Sequence, residues 1–304
     1  MKAILFLVSL LFLSNFLFAQ EFIPLWPHKK MPNSKGIIVK DSIANERQYH
    51  VGKPGVYAFF TSKQENKKAA VLIIPGGGYS RLAYDISGFQ LAKWYNTLGI
   101  SAFVLIHRLP HSIDLKEREK APLQDAQRAI KIIRKNASQW QIDLDKVGVM
   151  GSSAGGHLAA SVGTIQDDYS KIDDEFDVFD FKPNFMVLVS PVIDMGAEGH
   201  KGSRENLLGP NPSKELIDKF SLQNQVTQKT SPAFLVHAFD DRSVSPKNSL
   251  MFYQKLLENK IPSSLHIFNQ GAHAIALRNN PGSANLWTGI CEKWLEEIKI
   301  IETK

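Results

Sequence analysis

KVGVMGSSAGGHLAA, Lys146 to Ala160, passes from a β-branched apolar run, through two serines set between glycines, into small helix-forming residues. A serine hydroxyl becomes a useful nucleophile only when a base takes its proton, so the side chain must stand clear of the backbone within reach of an imidazole. A sharp strand-to-helix turn achieves this, and its crowding admits only small residues two positions before and two after the apex. Gly151-Ser152-Ser153-Ala154-Gly155 satisfies both positions if the apex is Ser153; centring on Ser152 would put Met150 and Ala154 there instead. Ser153 is the candidate nucleophile and Ser152 a bystander.

Working outward, short apolar runs alternate with amphipathic stretches: AAVLIIP (Ala69 to Pro75), a helix over about Gly88 to Leu98, SAFVLI (Ser101 to Ile106), a helix over about Pro122 to Asn136, then KVGVMG, FMVLVS (Phe185 to Ser190) and AFLVHA (Ala233 to Ala238). Strands this uniformly apolar are buried on both faces, and the helices between them are the crossovers that parallel pairing needs. An α/β fold with an open, mostly parallel sheet follows. The stretch before it, Glu21 to Lys68, reads as edge strands. The alternation is broken from Asp194 to Thr230, a polar and irregular interval that suits a small cap inserted over the strand ends. A plain crossover with long loops is the alternative. No repeat or linker divides the chain, so residues 20–304 read as one domain.

Three further stretches bear on the chemistry. Pro75-Gly76-Gly77-Gly78-Tyr79 closes the AAVLIIP strand with a run of bare backbone able to turn its N–H groups into a cavity. That loop and the residue after the nucleophile supply oxyanion donors in folds of this class, which designates Gly77, Gly78 and Ala154. A phosphate loop is the rival reading of PGGGYSR, but Gly76, Gly78 and Arg81 fail G-x-G-x-x-G and no G-K-[ST] follows. AFLVHAFDDRSV places Asp240 and Asp241 just beyond a strand, where a carboxylate can fix an imidazole tautomer; either fits. SSLHIFNQGAHAIAL ends a strand near Phe268 and offers His273, completing a Ser…Asp…His order. His157 reads as a packing or hydrogen-bonding residue, and Asp194 as a turn cap or substrate contact. His107 and His111 share i,i+4 spacing, but Pro110 argues against a helical metal pair.

Taken together the stretches resemble the exported bacterial acetylxylan-esterase-like carbohydrate esterases of the α/β-hydrolase superfamily. The likeness is carried by IPLWP (Ile23 to Pro27), IIPGGGYSRLAYD (Ile73 to Asp85), GISAFVLIHRLP (Gly99 to Pro110), APLQDAQRAIKIIR (Ala121 to Arg134), GSSAGGHLAA and HAFDDRSVS (His237 to Ser245). It implies an α/β-hydrolase fold with Ser153 as nucleophile, Asp241 as the acid, His273 as base and the PGGGY loop as oxyanion contributor. It implies removal of acyl groups, acetyl foremost, from xylan-type polysaccharides or oligosaccharides without metal or organic cofactor. Pro75 stands where many relatives carry histidine, and Ala238 and Ala272 replace frequent glycines. A prolyl-oligopeptidase-like peptidase shares the serine turn, but usually carries a large propeller ahead of it. A hydrolase fold kept only for glycan binding is the remaining alternative, against which all three triad positions are filled.

Composition bounds the partners and the compartment. The chain holds 36 Lys and Arg against 30 Asp and Glu, a net +6, with the basic residues scattered among acids rather than gathered on one arm or helix, which argues against nucleic acid. MKAILFLVSLLFLSNFLFA, residues 1–19, has the lysine, apolar run and small Ala19 of a signal peptide, predicting export to the periplasm or beyond. No later stretch is apolar enough to span a bilayer, so no stable membrane insertion is expected once the signal is cleaved. The single cysteine, Cys291, forms no intramolecular disulfide and reads as a packing residue.

Overall fold

A computed structural model of the chain describes residues 21–27, 29–273 and 275–302. The export segment read from residues 1–19 lies outside the described residues. In chain order the elements are β1 (Glu21–Pro24), β2 (Ser42–Ala44), β3 (Arg47–His50), β4 (Gly55–Phe59), β5 (Ala69–Ile74), α1 (Gln90–Thr97), β6 (Ile100–Ile106), α2 (Lys120–Lys135) and α3 (Ala137–Trp140). There follow β7 (Val147–Ser152), α4 (Ala154–Thr164), β8 (Met186–Val189), α5 (Lys201–Leu208), α6 (Lys214–Phe220), β9 (Ala233–Ala238), α7 (Lys247–Glu258), β10 (Ser263–Phe268) and α8 (Trp287–Glu297).

The main sheet has the order β1-β4-β6-β5-β7-β8-β9-β10. From β6 to β10 every pair is parallel, while β1 and β4 add antiparallel strands at one edge. Strand alternation explains the uniform apolarity. In β5, Ala70, Leu72 and Ile74 enter the core beneath α2, α4 and α7, whereas Ala69, Val71 and Ile73 enter the opposite core beneath α1 and α8. A polar side chain on either face would be buried without a partner, so none occurs in β5. Cys291 of α8 is fully buried in the second core, as its context predicted.

Two boundaries differ from the expectation. The chain reaches α1 through a wide helical turn, Asp85–Phe89, in which Ser87 leaves helical geometry. Helix α2 begins at Lys120, placing Pro122 in its first turn, where a missing N–H costs nothing. The hairpin β2–β3 stands apart from the main sheet, and Gln48 bridges Leu82 in the loop after β5. Between β8 and β9, the polar interval forms α5, α6 and a short turn over Leu222–Asn224 before the chain re-enters the sheet.

Buried charge fastens helix α2 to its surroundings. Arg108 and Asp125 are 2% and 0% exposed and pair at 2.8 Å; Asp125 also accepts the Trp26 indole N–H at 2.7 Å and the Arg108 backbone N–H at 2.7 Å. Arg128 pairs with Asp174, and Lys131 with Asp168 and Asp177, so two more buried cations hold the loop of residues 165–184. No helix among the described residues is long and apolar enough to cross a membrane.

Candidate active site

Ser153 occupies the turn between β7 and α4 with φ +57°, ψ −123°, a conformation that side chains rarely adopt. The flanking glycines make the turn possible. A Cβ on Gly151 would lie 2.1 Å from the Gly155 carbonyl oxygen, and one on Gly155 would lie 2.2 Å from that of Ile74. The strain is held by the Ser153 N–H donating to Val189 and by its carbonyl accepting from His157 and Val192.

The residues singled out by sequence converge. The Ser153 hydroxyl lies 2.9 Å from His273 Nε2, and His273 Nδ1 lies 2.7 Å from Asp241 Oδ2, linking the ends of three different strands. The other Asp241 oxygen accepts the N–H groups of Ser243 and Val244, both at 2.9 Å. Burial alone would raise the Asp241 pKa, but hydrogen bonds from His237, His273 and Val244 outweigh it and hold the carboxyl well below the usual range. Since Asp241 accepts from Nδ1, a neutral His273 keeps Nε2 free to take the serine proton. Asp240 is exposed and instead accepts the Ala272 N–H at 2.8 Å, steadying the loop that carries His273. Ala272 sits there at φ +48°, where a glycine would be unstrained.

The glycine loop folds against this group. The Gly76 carbonyl accepts from Ala83 at 2.9 Å, and the Gly77 carbonyl accepts from Ser80 and Arg81 at 3.1 and 3.3 Å. In a trans peptide plane the N–H points opposite to its carbonyl, so the N–H groups of Gly77 and Gly78 are turned out of the bend. Neither these nor the Ala154 N–H at the head of α4 has a partner among the described residues. Helix α4 adds the positive end of its dipole beside the Ser153 oxygen.

Ser153 and His273 open into a cavity of about 510 Å³. Its apolar lining includes Leu91, Met150, Val189, Leu277 and Trp287, all continuous with the core beneath α1 and α8. Its polar lining includes Ser80, His200, Asn206 and Ser243. His200 and Asn206 come from the interval between β8 and β9, so that interval reaches the site. Asn206 Nδ2 donates to the Gly78 carbonyl at 2.8 Å. His200 Nδ1 accepts the Ser203 N–H at 3.1 Å, leaving Nε2 as the protonated nitrogen of its neutral ring.

Several supporting residues escaped the sequence reading. His237 is fully buried in β9; Val244 O, 2.9 Å away, can only accept, so Nε2 carries the proton and also approaches Asp241 at 3.2 Å. Ser249 serves its other nitrogen at 2.8 Å. One signal was available: a histidine inside an otherwise apolar strand must find partners. His157 has the packing and hydrogen-bonding role read from its place in the sequence. Its Nε2 donates to the Phe220 carbonyl and its Nδ1 accepts from the Tyr79 hydroxyl, each at 2.8 Å, so it ties the glycine loop to the end of α6. Asp194 caps: its oxygens accept from Glu198, Ser221 and Gln223, and it does not line the cavity. His107 rests on the Arg108 carbonyl, and His111 on that of Tyr49.

The BD-FAE family matches residues 58–256, which takes in the glycine loop, the serine turn and Asp241. This chain belongs to the BD-FAE family of the α/β-hydrolase superfamily. This BD-FAE chain is similar to an acetyl ester-xyloside bifunctional hydrolase from Caldicellulosiruptor lactoaceticus: 35% identity, 95% of this chain and 100% of that one covered, TM-score 0.80. It is 34% identical to an acetylxylan esterase of Xylanibacter ruminicola over 73% of this chain and 44% of the relative. It is also 32% identical to endo-1,4-beta-xylanase B of Butyrivibrio fibrisolvens over 82% of this chain and 40% of the relative. The chain thus spans less than half the length of either curated relative.

Burial also predicts how this BD-FAE site responds to acid. It pushes the His157 imidazole down to about 4, the Phe220 carbonyl opposing only part of the fall. The unfolded ring binds a proton near pH 6.5 and the folded ring does not, so His157 contributes its full stability above that pH and loses it as the pH falls toward 4. The loss by pH 5 is about 2 kcal/mol. Thermal unfolding at pH 7 and pH 5 is expected to show a smaller acid loss in His157→Gln, whose amide can keep both bonds without titrating. Equal losses in the two proteins would remove His157 from the account.

Proposed function

We propose that this chain is a serine carboxylic ester hydrolase that removes acyl groups, acetyl foremost, from xylan-type polysaccharides or their oligosaccharides. The observation that carries this reading is the continuous hydrogen-bonded path from Ser153 through His273 to Asp241 beside backbone donors that have no partner among the described residues. His273 takes the proton of Ser153 as its oxygen attacks the ester carbonyl, and Asp241 stabilises the imidazolium that forms. The N–H groups of Gly77, Gly78 and Ala154 hold the developing oxyanion; losing one such donor typically raises the barrier by about 3–4 kcal/mol. His273 then delivers its proton to the leaving sugar oxygen, and water releases the acid from Ser153 by the same steps in reverse order.

The substrate class is supported by the names of the similar proteins, two of which are described as acting on acetyl esters. The polar lining at His200, Asn206 and Ser243 suits a saccharide, while the apolar lining suits an acyl chain. Export read from residues 1–19 would place the enzyme where plant polysaccharide fragments arrive. Purified protein incubated with acetylated xylan is expected to release acetate, and a fluorophosphonate probe should label Ser153. Absence of both would defeat the reading.

A further inference from the structure

The cavity is electrostatically one-sided. Among the described residues lining it there is no carboxylate, and the only permanently charged side chains are Arg47 and Arg81. Neither arginine forms an ion pair among the described residues. Arg47 Nη1 uses one donor on the Asn45 carbonyl at 2.8 Å, and Arg81 makes a single long contact of 3.4 Å to the Ser80 hydroxyl. Two guanidiniums facing one cavity without a counter-charge repel each other, an arrangement that an anion would relieve.

The backbone fixes both arginines relative to Ser153. Gln48 and Leu82 exchange hydrogen bonds of 3.0 and 2.8 Å, forming a two-residue antiparallel ribbon whose inner side chains are 5% and 1% exposed. Arg47 and Arg81 each precede an inward-facing residue, so strand alternation turns both to the other side of the ribbon, the side that meets the cavity. They are diagonal neighbours there, a relation that sets two residues about 7–8 Å apart with their Cβ atoms somewhat closer, within reach of one carboxylate that bridges two guanidiniums. The Arg81 N–H is bonded to the Gly77 carbonyl, which ties this pair directly to the glycine loop beside Ser153.

We infer that Arg47 and Arg81 form an acidic-sugar subsite, binding the carboxylate of a uronosyl substituent carried close to the ester on the alcohol side of the substrate. This rests on the esterase reading above for the identity of the substrate, though not for the binding itself. The ester sits at Ser153, its acyl group against the apolar lining, and the saccharide runs out past the two arginines at the cavity mouth.

The test uses two matched acetylated xylo-oligosaccharides, one neutral and one with a glucuronosyl group on the xylose next to the ester, together with their deacetylated counterparts. The wild-type protein is expected to deacetylate the acidic compound with about 5–10-fold higher kcat/KM at low salt, the range for charge-assisted pairs at a partly exposed site. Raising the salt to about 0.5 M should shrink that preference by screening. In Arg47→Gln/Arg81→Gln the ratio between the two substrates should fall to near one. Calorimetric titration of the deacetylated pair should show the same preference in binding. Equal kcat/KM and equal binding for neutral and acidic compounds, or a preference that survives in the double variant, would overturn the subsite while acetate release leaves the esterase reading standing. Tighter binding of the acidic compound without acetate release from any ester would support the subsite and defeat the esterase reading.

Discussion

Replacing Ser153 with alanine is expected to lower kcat/KM for 4-nitrophenyl acetate by about 10⁴–10⁶-fold and to abolish fluorophosphonate labelling, leaving the residual rate that donors and binding alone provide. The loss corresponds to roughly 5–8 kcal/mol of barrier, far more than any single contact elsewhere in the cavity could contribute. The fold should be untouched, since the Ser153 backbone bonds to Val189, His157 and Val192 do not involve its hydroxyl. His273→Ala should cost a similar amount, and the double variant scarcely more, because base and nucleophile act as one unit. The two aspartates separate cleanly. Asp241 meets His273 at 2.7 Å, so Asp241→Asn presents an amide where an acceptor is needed and should lose about 10³–10⁴-fold. Among the described residues Asp240 accepts only the Ala272 N–H, a bond that an asparagine oxygen can keep, so Asp240→Asn should change little. A Ser153→Ala protein with near-normal esterase activity, or an Asp240→Asn loss equal to that of Asp241→Asn, would refute the assignment.

The second large effect lies away from the cavity. Asp125→Ala is expected to cost about 3–5 kcal/mol in unfolding free energy, because it leaves the Arg108 guanidinium buried without its counter-ion. Asp125 also receives the Trp26 indole and the Arg108 backbone N–H, so the same change orphans three donors at once. For a chain of this size that amounts to a fall in Tm of about 5–8 °C. Replacing both partners, Arg108→Met with Asp125→Leu, should cost less than removing the acid alone, since no uncompensated charge remains. Thermal or urea unfolding of the two variants checks this. A double variant less stable than the single one would show that the pair adds net stability rather than merely avoiding a penalty.

Much of the architecture could be read from residue order. The apolar runs at 69–75, 101–106 and 233–238 could be nothing but strands buried on both faces, and the helical stretches between them had to be parallel crossovers. The serine turn was equally legible, since steric crowding at its apex leaves a local trace in the flanking glycines. IPLWP, HRLP and the Gln124-Asp125 stretch also stood out in the sequence, but their reason did not. Trp26, Arg108 and Asp125 interact across as many as 99 positions, and no local rule relates them.

What the chain specified by itself was therefore whatever depends on near neighbours: strand and helix alternation, the strained serine turn, and the chemical types available for a triad. Folding in three dimensions decided the rest. It set Asp241 rather than Asp240 against His273, gave His237 and His157 their tautomers, and brought Asn206 from between β8 and β9 to the glycine loop and His200 to the cavity. It also turned Arg47 and Arg81 into one cavity. The physical reason is common to all of these. A hydrogen bond or an unpaired charge acts over a few ångströms of space, and which residues share that space is settled only when the sheet has closed.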